Sequence, residues 1–339
     1  MNTPALEIHL DAEDMARALR ADVVAGLTAQ HKWLPPKWFY DARGSDLFEQ
    51  ITVLPEYYPT RTERRILTDR AADIARHTGA KSLIELGSGY STKTRLLLDA
   101  LTQHGTLGAF VPMDVSATAL ENAAGLIEAD YPGLQVHGIV GDLTRHLEHL
   151  PRGGDRMIAF LGGTIGNLVP AERAAFLADV RSVLDAGEHL LLGTDLVKDP
   201  RVVVPAYDDA DGVTAEFNRN VLRVLNRELG ADFDVDGFAH VALWDPEQEW
   251  IEMRLRARWP MRVTVPAVDL VVDFTTGEEL RTEVSAKFRR AGVERELAQA
   301  GFALEHWWTD SDDLFAVSLA RAVTGSGLHG LGGGGTVSG

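Results

Sequence analysis

The sequence Ser82-Leu83-Ile84-Glu85-Leu86-Gly87-Ser88-Gly89 is a short apolar run that ends in a Gly-x-Gly turn. Glycine suits such a turn because the backbone bends sharply and approaches a ligand closely, and a Cβ would obstruct both. A helix is expected to follow, starting at Ser91 or Thr92, whose hydroxyls can cap it. The stretch therefore predicts a strand, a ligand-binding loop and a helix in succession.

A carboxylate at Asp114 closes the next apolar segment, residues 110–113. In that position it can accept two hydrogen bonds from ribose hydroxyls. Thr92 stands where a dinucleotide-binding fold has its third glycine, so the pattern favours a nucleoside without a pyrophosphate. S-adenosylmethionine is the commonest such ligand. For the glycine turn taken alone, an ordinary strand-to-helix turn remains the alternative.

Composition narrows the class of protein. The chain has 339 residues, of which 45% are hydrophobic, enough for two domains with buried cores. With no cysteine, disulfides, thiol nucleophiles, thiolate zinc sites and iron-sulfur clusters are excluded. A net charge of -17 gives no footprint for nucleic acid and favours a small-molecule substrate. No apolar run reaches about 18 residues and no basic segment precedes one, so neither a membrane span nor a signal peptide is predicted, and the cytoplasm is the expected compartment.

Histidines do not indicate a metal site. Of eleven histidines, His146 and His149 lie close together in sequence. No carboxylate stands at a spacing that would complete a metal-binding triad with them. The sequence therefore predicts surface histidines and no metal.

Helix and strand patterns alternate from Thr62 to about Thr194. Apolar runs predict five strands, near residues 82–86, 110–114, 134–140, 156–161 and 189–193, with amphipathic segments between them. Such alternation predicts a parallel sheet covered by helices on both faces. Further on, a helix over 293–300 precedes two segments that predict a hairpin, 302–308 and 314–319. This ending is typical of class I, Rossmann-like methyltransferases.

The remaining segments predict a second domain. Between Thr194 and Val293 the alternation stops, and no helix is expected there. This insertion, residues 197–286, together with residues 1–61, is predicted to form an α+β substrate-binding domain. Residues 62–196 with 287–321 form the predicted cofactor-binding domain. Residues 322–339 are a glycine-rich tail that is expected to be flexible.

Aromatic residues are concentrated in a segment before the first helix of the alternating region. They can form a small hydrophobic core, or their polar tips can line a cleft. A wall of aromatic rings also suits a quaternary ammonium group, through cation-π attraction of about 0.5 to 2 kcal/mol. The six residues are Trp38, Phe39, Tyr40, Phe48, Tyr57 and Tyr58.

Three polar residues suggest recognition of an amino acid. Asn167 follows the fourth strand, at the carboxyl edge where open α/β sheets bind ligands, and its amide can both donate and accept. It could equally cap a turn. Glu283 and Ser285 alternate along a possible strand and so share a face, where they could hold an imidazole ring. The alternative for this pair is a solvated surface.

Long motifs resemble one family, the L-histidine Nα-methyltransferases of ergothioneine biosynthesis. The resemblance covers roughly residues 8 to 321. It is carried by LPPKWFYD (34–41), GSDLF (44–48), LPEYYPTRTE (54–63), ELGSG (85–89), GTDLVKD (193–199), YDD (207–209), FNRN (217–220) and TEVS (282–285).

The resemblance implies a reaction and a set of contact residues. The reaction is three methyl transfers from S-adenosylmethionine to the α-amino group of histidine, giving hercynine, with no metal. Residues implied to contact the cofactor are Gly87, Lys93, Asp114, Asp142 and Leu143. Histidine would be held by Tyr57, Asn167, Tyr207, Glu283 and Ser285, in a pocket bordered by Tyr40, Phe48 and Met253.

Two other functions stay open at this point. One is methylation of a different amino acid, such as tryptophan, although an indole cannot satisfy Glu283 from two ring nitrogens. The other is a non-catalytic sensor that binds S-adenosylmethionine. A monomer without nucleic-acid or membrane partners is expected in each case.

Overall fold

The computed structural model describes residues 5–89 and 93–324. Its strands are β1 (Ala5–Ile8), β2 (Ser82–Leu86), β3 (Ala109–Asp114), β4 (Gln135–Val140), β5 (Arg156–Phe160), β6 (His189–Asp195), β7 (Phe238–Asp245), β8 (Trp250–Ala257), β9 (Met261–Val265), β10 (Leu270–Phe274), β11 (Glu279–Ala286), β12 (Phe302–Thr309) and β13 (Phe315–Ala322).

Helices connect most of these strands. They are α1 (Ala12–Leu27), α2 (Ala42–Thr52), α3 (Tyr58–Thr78), α4 (Thr94–His104), α5 (Ala117–Asp130), α6 (Pro170–Val183), α7 (Pro200–Val203), α8 (Val213–Leu229) and α9 (Arg290–Gln299). The predicted helix start at Ser91 or Thr92 and residues 325–339 of the predicted tail lie outside the described residues. The tail was predicted to begin at 322, which is wrong, because Ala322 is the buried last residue of β13.

An eight-stranded sheet forms one half of the molecule. Its strand order is β1-β4-β3-β2-β5-β6-β13-β12. Strands β1 to β6 pair in parallel, whereas β13 is antiparallel to both β6 and β12. The predicted α/β class I methyltransferase layout, parallel strands followed by a helix and an antiparallel hairpin, is confirmed.

Both faces of this sheet are covered by helices, as buried apolar strands require. Adjacent residues Leu83 and Ile84 on β2 are fully buried in different cores because side chains alternate along a strand. Leu83 packs in the core that α3, α4 and α5 share, and Ile84 in the core beneath α6 and α9. The carboxyl ends of the parallel strands remain available for ligand-binding loops.

A third core lies under two smaller antiparallel sheets. One sheet has the order β11-β8-β7 and the other pairs β9 with β10. Buried residues of α1, α2 and α8 pack against them, including Val23, Ile51, Phe217 and Leu225. This half contains most of the predicted substrate-binding segments.

Two expectations about these segments are wrong. The insertion holds the 17-residue helix α8, where no helix was expected. Its apolar face, which includes Phe217, Val221 and Leu225, has ordinary helical spacing but is interrupted by arginines and asparagines. In addition, β1 pairs with β4 in the large sheet, so residues 5–8 belong to that sheet rather than to the smaller half.

No helix among the described residues has both the length and the hydropathy needed to cross a bilayer.

Candidate functional site

The glycine turn after β2 meets the end of β3. Gly87 and Gly89 have positive φ angles of 69° and 48°, a region that side chains with a Cβ rarely adopt. The N–H of Gly87 donates to the Met113 carbonyl at 2.8 Å, and the N–H of Gly89 donates to the Asp114 carboxylate at 3.0 Å. The Ser88 hydroxyl is buried and, within the described chain, unpartnered. These features fit a loop shaped around a polar ligand.

Asp114 keeps acceptor capacity on this loop. Its second oxygen accepts from the Ser116 N–H at 3.0 Å, so each oxygen retains a lone pair. Burial raises the pKa of Asp114 above its usual value, although the backbone N–H donors oppose the shift. A carboxylate that is poorly solvated in this way gains from hydroxyl donors such as those of ribose.

Asp142 and Leu143 follow β4 at the same edge. The Gly141 N–H donates to the Asp114 carbonyl at 2.9 Å, which holds the two strand ends together. Burial raises the pKa of Asp142, but hydrogen bonds from Thr144 and the Lys37 charge outweigh it and lower the pKa. Leu143 comes within 3.8 Å of the point where a Cβ on Gly87 would lie. Predicted cofactor residues from three strand ends thus lie together.

Lys93 is held by a residue that the sequence did not single out. Glu63 on α3 has no exposed surface and pairs with the Lys93 ammonium. The same carboxylate accepts the Gly162 N–H at 2.8 and 3.0 Å. Glu63 therefore joins the loop after β5 to the start of the helix that follows the glycine turn.

Asn167 and Glu283 form the centre of the second half of the site. Asn167 belongs to the 3-10 helix Thr164–Asn167, in the loop after β5. Its amide donates to Glu283 Oε1 at 3.0 Å and to the Val284 carbonyl at 2.8 Å. Burial raises the pKa of the Glu283 carboxyl to about 7, with Asn167 and Lys287 opposing the shift. The loop after β5 is thus linked to both sets of predicted residues, to Lys93 through Gly162 and Glu63 and to Glu283 directly through Asn167.

Tyr207 and Ser285 are hydrogen-bonded to each other. The Tyr207 hydroxyl donates to Ser285 Oγ at 2.8 Å, and both residues are buried. Burial, with the nearby Asp195 and Glu283 charges, raises the pKa of Tyr207 well above its usual value. The predicted alternation along β11 is observed, since Glu283 and Ser285 point into the same site.

Aromatic rings line one side. Phe48 contacts Tyr40 and Tyr57, with ring centroids 5.6 and 6.2 Å apart, and Phe217 of α8 packs 5.9 Å from Phe48. The pKa of Tyr57 is raised well above its usual value by burial and by neighbouring Tyr207 and Glu283, so these groups lie near one another. Phe217 is the member of this cluster that the sequence reasoning did not assign to the pocket.

Met253 is the last predicted pocket residue. It is 2% exposed on β8, directly opposite Glu283 in the antiparallel register. The Thr282 hydroxyl lies 2.6 Å from Asn218 Oδ1 and 3.0 Å from the Met253 carbonyl, two acceptors that share its single hydrogen. These bonds stabilise the irregular register between Arg281 and Glu283.

A histidine cluster lies at the far edge of the large sheet. Ligand atoms of Glu7, His9 and His149 are within 4.8 Å of one another, so a carboxylate that is distant in sequence lies beside His149, which the sequence spacing did not reveal. Strand β1 brings Glu7 there. The His9 and His149 rings are stacked 3.5 Å apart, so their in-plane lone pairs do not converge on one point. Glu7 accepts hydrogen bonds from His9 and His137, which hold β1 beside β4.

Sequence patterns contain signals for the residues that were missed. Glu63 interrupts the apolar face of α3 that Ile66 and Ile74 continue, a position where a carboxylate is unexpected. Lys287 continues the alternation that begins at Glu283 and Ser285. Both side chains are charged and buried, and this combination needs tertiary partners that one sequence does not display.

Comparison with known proteins agrees with this geometry. A family model described as histidine-specific methyltransferase, SAM-dependent, matches residues 19–322. A histidine N-alpha-methyltransferase of Mycolicibacterium smegmatis is 57% identical over 318 residues, which cover 94% of this chain and 99% of that protein. The same enzyme of Mycobacterium tuberculosis is 55% identical over 312 residues, 92% of this chain and 97% of that protein.

A more distant relative is the ergothioneine biosynthesis protein 1 of Neurospora crassa. It is 31% identical over 300 residues, which cover 85% of this chain and 33% of that longer protein. Because the family model spans nearly all of the described residues, this protein belongs to the S-adenosylmethionine-dependent, histidine-specific methyltransferase family.

Proposed function

We propose that this protein transfers methyl groups from S-adenosylmethionine to the α-amino group of L-histidine. Three successive transfers give Nα,Nα,Nα-trimethylhistidine, hercynine, the first step of ergothioneine biosynthesis. The observation that carries the proposal is the partly buried Glu283 carboxylate, held by Asn167 and followed two residues later by Ser285. Family membership and the similarity to the two mycobacterial enzymes support it.

Each substrate residue has a chemical role in this proposal. Glu283 accepts an N–H of the imidazole ring, and Ser285 contacts the other ring nitrogen. Asn167 donates both amide hydrogens within the protein, so its oxygen is available to the α-ammonium group. Tyr207 holds the amino-acid backbone. Met253, opposite Glu283 on β8, fills the floor behind the ring.

The predicted cofactor residues each contact a different part of S-adenosylmethionine. When bound, it supplies a methyl group on a positively charged sulfur. The Asp114 carboxylate accepts hydrogen bonds from the ribose hydroxyls, while Asp142 and Leu143 contact the adenine. Gly87 leaves room for the nucleoside. Lys93 donates one ammonium hydrogen to Glu63, and an ammonium group carries two more that can bind the methionyl carboxylate.

Aromatic residues border the predicted position of the amine and can stabilise its positive charge. The rings of Tyr40, Phe48 and Tyr57 suit a trimethylammonium product, with cation-π attraction of about 0.5 to 2 kcal/mol. A tyrosine is protonated at neutral pH and the pKa of Tyr57 is raised further by burial, so its hydroxyl can relay the amine proton to water but cannot act as a standing base.

The cellular setting is also a proposal. We infer a monomer in the cytoplasm that needs no nucleic-acid or membrane partner and no metal. The net charge of -17 supports the absence of a nucleic-acid partner, because it repels polyanions.

Incubation with S-adenosylmethionine and all twenty amino acids, followed by mass spectrometry, tests the function. We expect histidine alone to gain three methyl groups. Methylation of tryptophan or another amino acid would refute the histidine assignment, and cofactor binding without any product would indicate a sensor. Glu283→Ala should lose the preference for histidine, whereas Glu247→Ala, an exposed glutamate outside the site, should keep it.

A further inference from the structure

Two buried lysines share one carboxylate behind the pocket. Asp195 ends β6 and is 4% exposed. Its oxygens lie 2.8 Å from the Lys287 ammonium and 2.5 Å from that of Lys198. Each lysine also lies over a tyrosine ring, Lys287 over Tyr207 and Lys198 over Tyr58, at 4.7 and 4.5 Å from the ring centres. Two further carboxylates lie within electrostatic range of this cluster, Asp310 near Lys198 and Glu283 near Lys287.

The two lysines differ in what they contact. Lys287 donates to the Tyr207 hydroxyl and to Ser285 Oγ, both at 2.9 Å, as well as to Asp195. Its side chain has no exposed surface, and these three bonds use all three ammonium hydrogens. Lys198 instead donates to Tyr58 and to the Leu196 carbonyl. Only Lys287 of this pair touches the predicted substrate residues.

A count of hydrogens shows what Lys287 does to the two hydroxyls. An ammonium can only donate, so Tyr207 and Ser285 each give one lone pair to Lys287. The Tyr207 hydrogen then points at Ser285 Oγ, which accepts twice. The Ser285 hydrogen has no acceptor among the described residues. It is the donor that this cluster offers to a ligand.

Glu283 supplies the complementary acceptor on the same face of β11. A neutral imidazole has one N–H and one bare nitrogen, which matches an acceptor and a donor placed two residues apart. Building on the function proposed above, we propose that Lys287 is a positioning residue: it orients the Tyr207 and Ser285 hydroxyls so that Ser285 donates to the bare ring nitrogen while Glu283 accepts the ring N–H.

Variants at the two lysines test the proposal. Lys287→Met keeps an unbranched side chain that is one heavy atom shorter and removes the donors. We expect the KM for histidine to rise at least tenfold, with S-adenosylmethionine affinity changed less than threefold. Lys198→Met is the matched control, because it removes an ammonium from the same carboxylate without touching Ser285. It should leave the KM for histidine within threefold.

A double-mutant cycle separates positioning from general loosening. If Lys287 acts through Ser285, Ser285→Ala with Lys287→Met should be no worse than Ser285→Ala alone. Losses that multiply, or an unchanged KM for histidine in a Lys287→Met protein that still binds S-adenosylmethionine, would overturn the proposal.

A substrate analogue provides a readout should Lys287→Met not fold. In a pyrrolylalanine, a pyrrole ring with a single N–H replaces the imidazole ring of histidine. The analogue keeps the donor for Glu283 but lacks the bare ring nitrogen. The unmodified protein should prefer histidine to this analogue by at least thirtyfold in kcat/KM, and Ser285→Ala should reduce the preference below threefold. Equal use of both substrates by the unmodified protein would refute the inference, whereas absence of any histidine methylation would refute the proposed function itself.

Discussion

At Glu283, the raised pKa predicts how activity depends on pH. With a pKa of about 7, the carboxyl is mostly protonated at pH 6 and mostly ionised at pH 8. The ionised form accepts the ring N–H in a charge-assisted hydrogen bond, which is about twice as strong as a bond to the neutral carboxyl. The ratio of kcat/KM for histidine between the unmodified enzyme and Glu283→Gln should therefore rise about tenfold from pH 6 to pH 8. Steady-state rates at a series of pH values measure it, and a flat ratio would contradict the assignment.

The raised pKa of Glu283 makes the folded protein less stable as the pH rises, whereas it makes the enzyme more active. The folded protein binds the Glu283 proton more tightly than the unfolded chain, whose pKa is near 4.5. The stabilisation is full below pH 4.5 and is lost as the pH rises through 7. The change in the free energy of unfolding caused by Glu283→Gln should thus be about 2 kcal/mol more favourable at pH 8 than at pH 5.

Urea denaturation of both proteins at pH 5 and pH 8 measures that difference. Glu247→Gln serves as the control, because Glu247 is exposed and should show no such dependence on pH. An equal effect of Glu283→Gln at both pH values would show that the carboxyl is not desolvated.

Single residues also show where sequence reasoning stops. The positions of Gly87 and Asp114 follow from strand patterns, and the shared face of Glu283 and Ser285 follows from strand alternation. The lysine cluster does not follow from either. Asp195 and Lys287 are separated by the whole insertion, and their contact depends on how β6 meets the end of β11.

At the scale of elements, helix α3 carries the buried Glu63, and we expect this residue to affect the affinity for S-adenosylmethionine. Glu63 accepts the Gly162 N–H and pairs with Lys93, so it fixes two loops at the carboxyl edge of the sheet. Glu63→Gln keeps the size but removes the charge, and we expect S-adenosylmethionine to bind about tenfold more weakly, as loss of a buried charged hydrogen bond implies.

Isothermal titration calorimetry with S-adenosylmethionine or S-adenosylhomocysteine measures this loss. Asp69→Asn, an exposed carboxylate on the same helix, is the matched control and should bind normally. Unchanged affinity in Glu63→Gln would show that α3 does not position the cofactor loops.

Elements differ in how clearly the sequence predicts them. Strands β2 to β6 were predicted because continuous apolar runs alternate with amphipathic helices. Helix α8 was missed since arginines and asparagines interrupt its apolar face, although Phe217, Val221 and Leu225 keep helical spacing. The four residues of β1 are too few to reveal a partner, and their pairing with β4 is a long-range contact.

In the whole molecule, the two halves are not built from separate segments of the chain, because some segments contribute to both. The N-terminal segment contributes β1 to the large sheet and α1 and α2 to the smaller core. Helix α3 then packs on the large sheet, while Tyr58, its first residue, belongs to the smaller core and donates to Asp195 at the end of β6. The two halves therefore share buried polar contacts as well as chain crossings.

Such a connection predicts that the molecule unfolds in one step. The charged cluster of Asp195, Lys198 and Lys287 would lose its partners if either half unfolded alone, and buried charges without partners are strongly destabilising. Differential scanning calorimetry should show a single transition with equal calorimetric and van't Hoff enthalpies. S-adenosylhomocysteine at a hundred times its Kd should move the entire transition upward, by about 2.7 kcal/mol of stability. Two transitions, only one of them shifted by the ligand, would mean that the halves fold independently and that the lysine cluster does not join them.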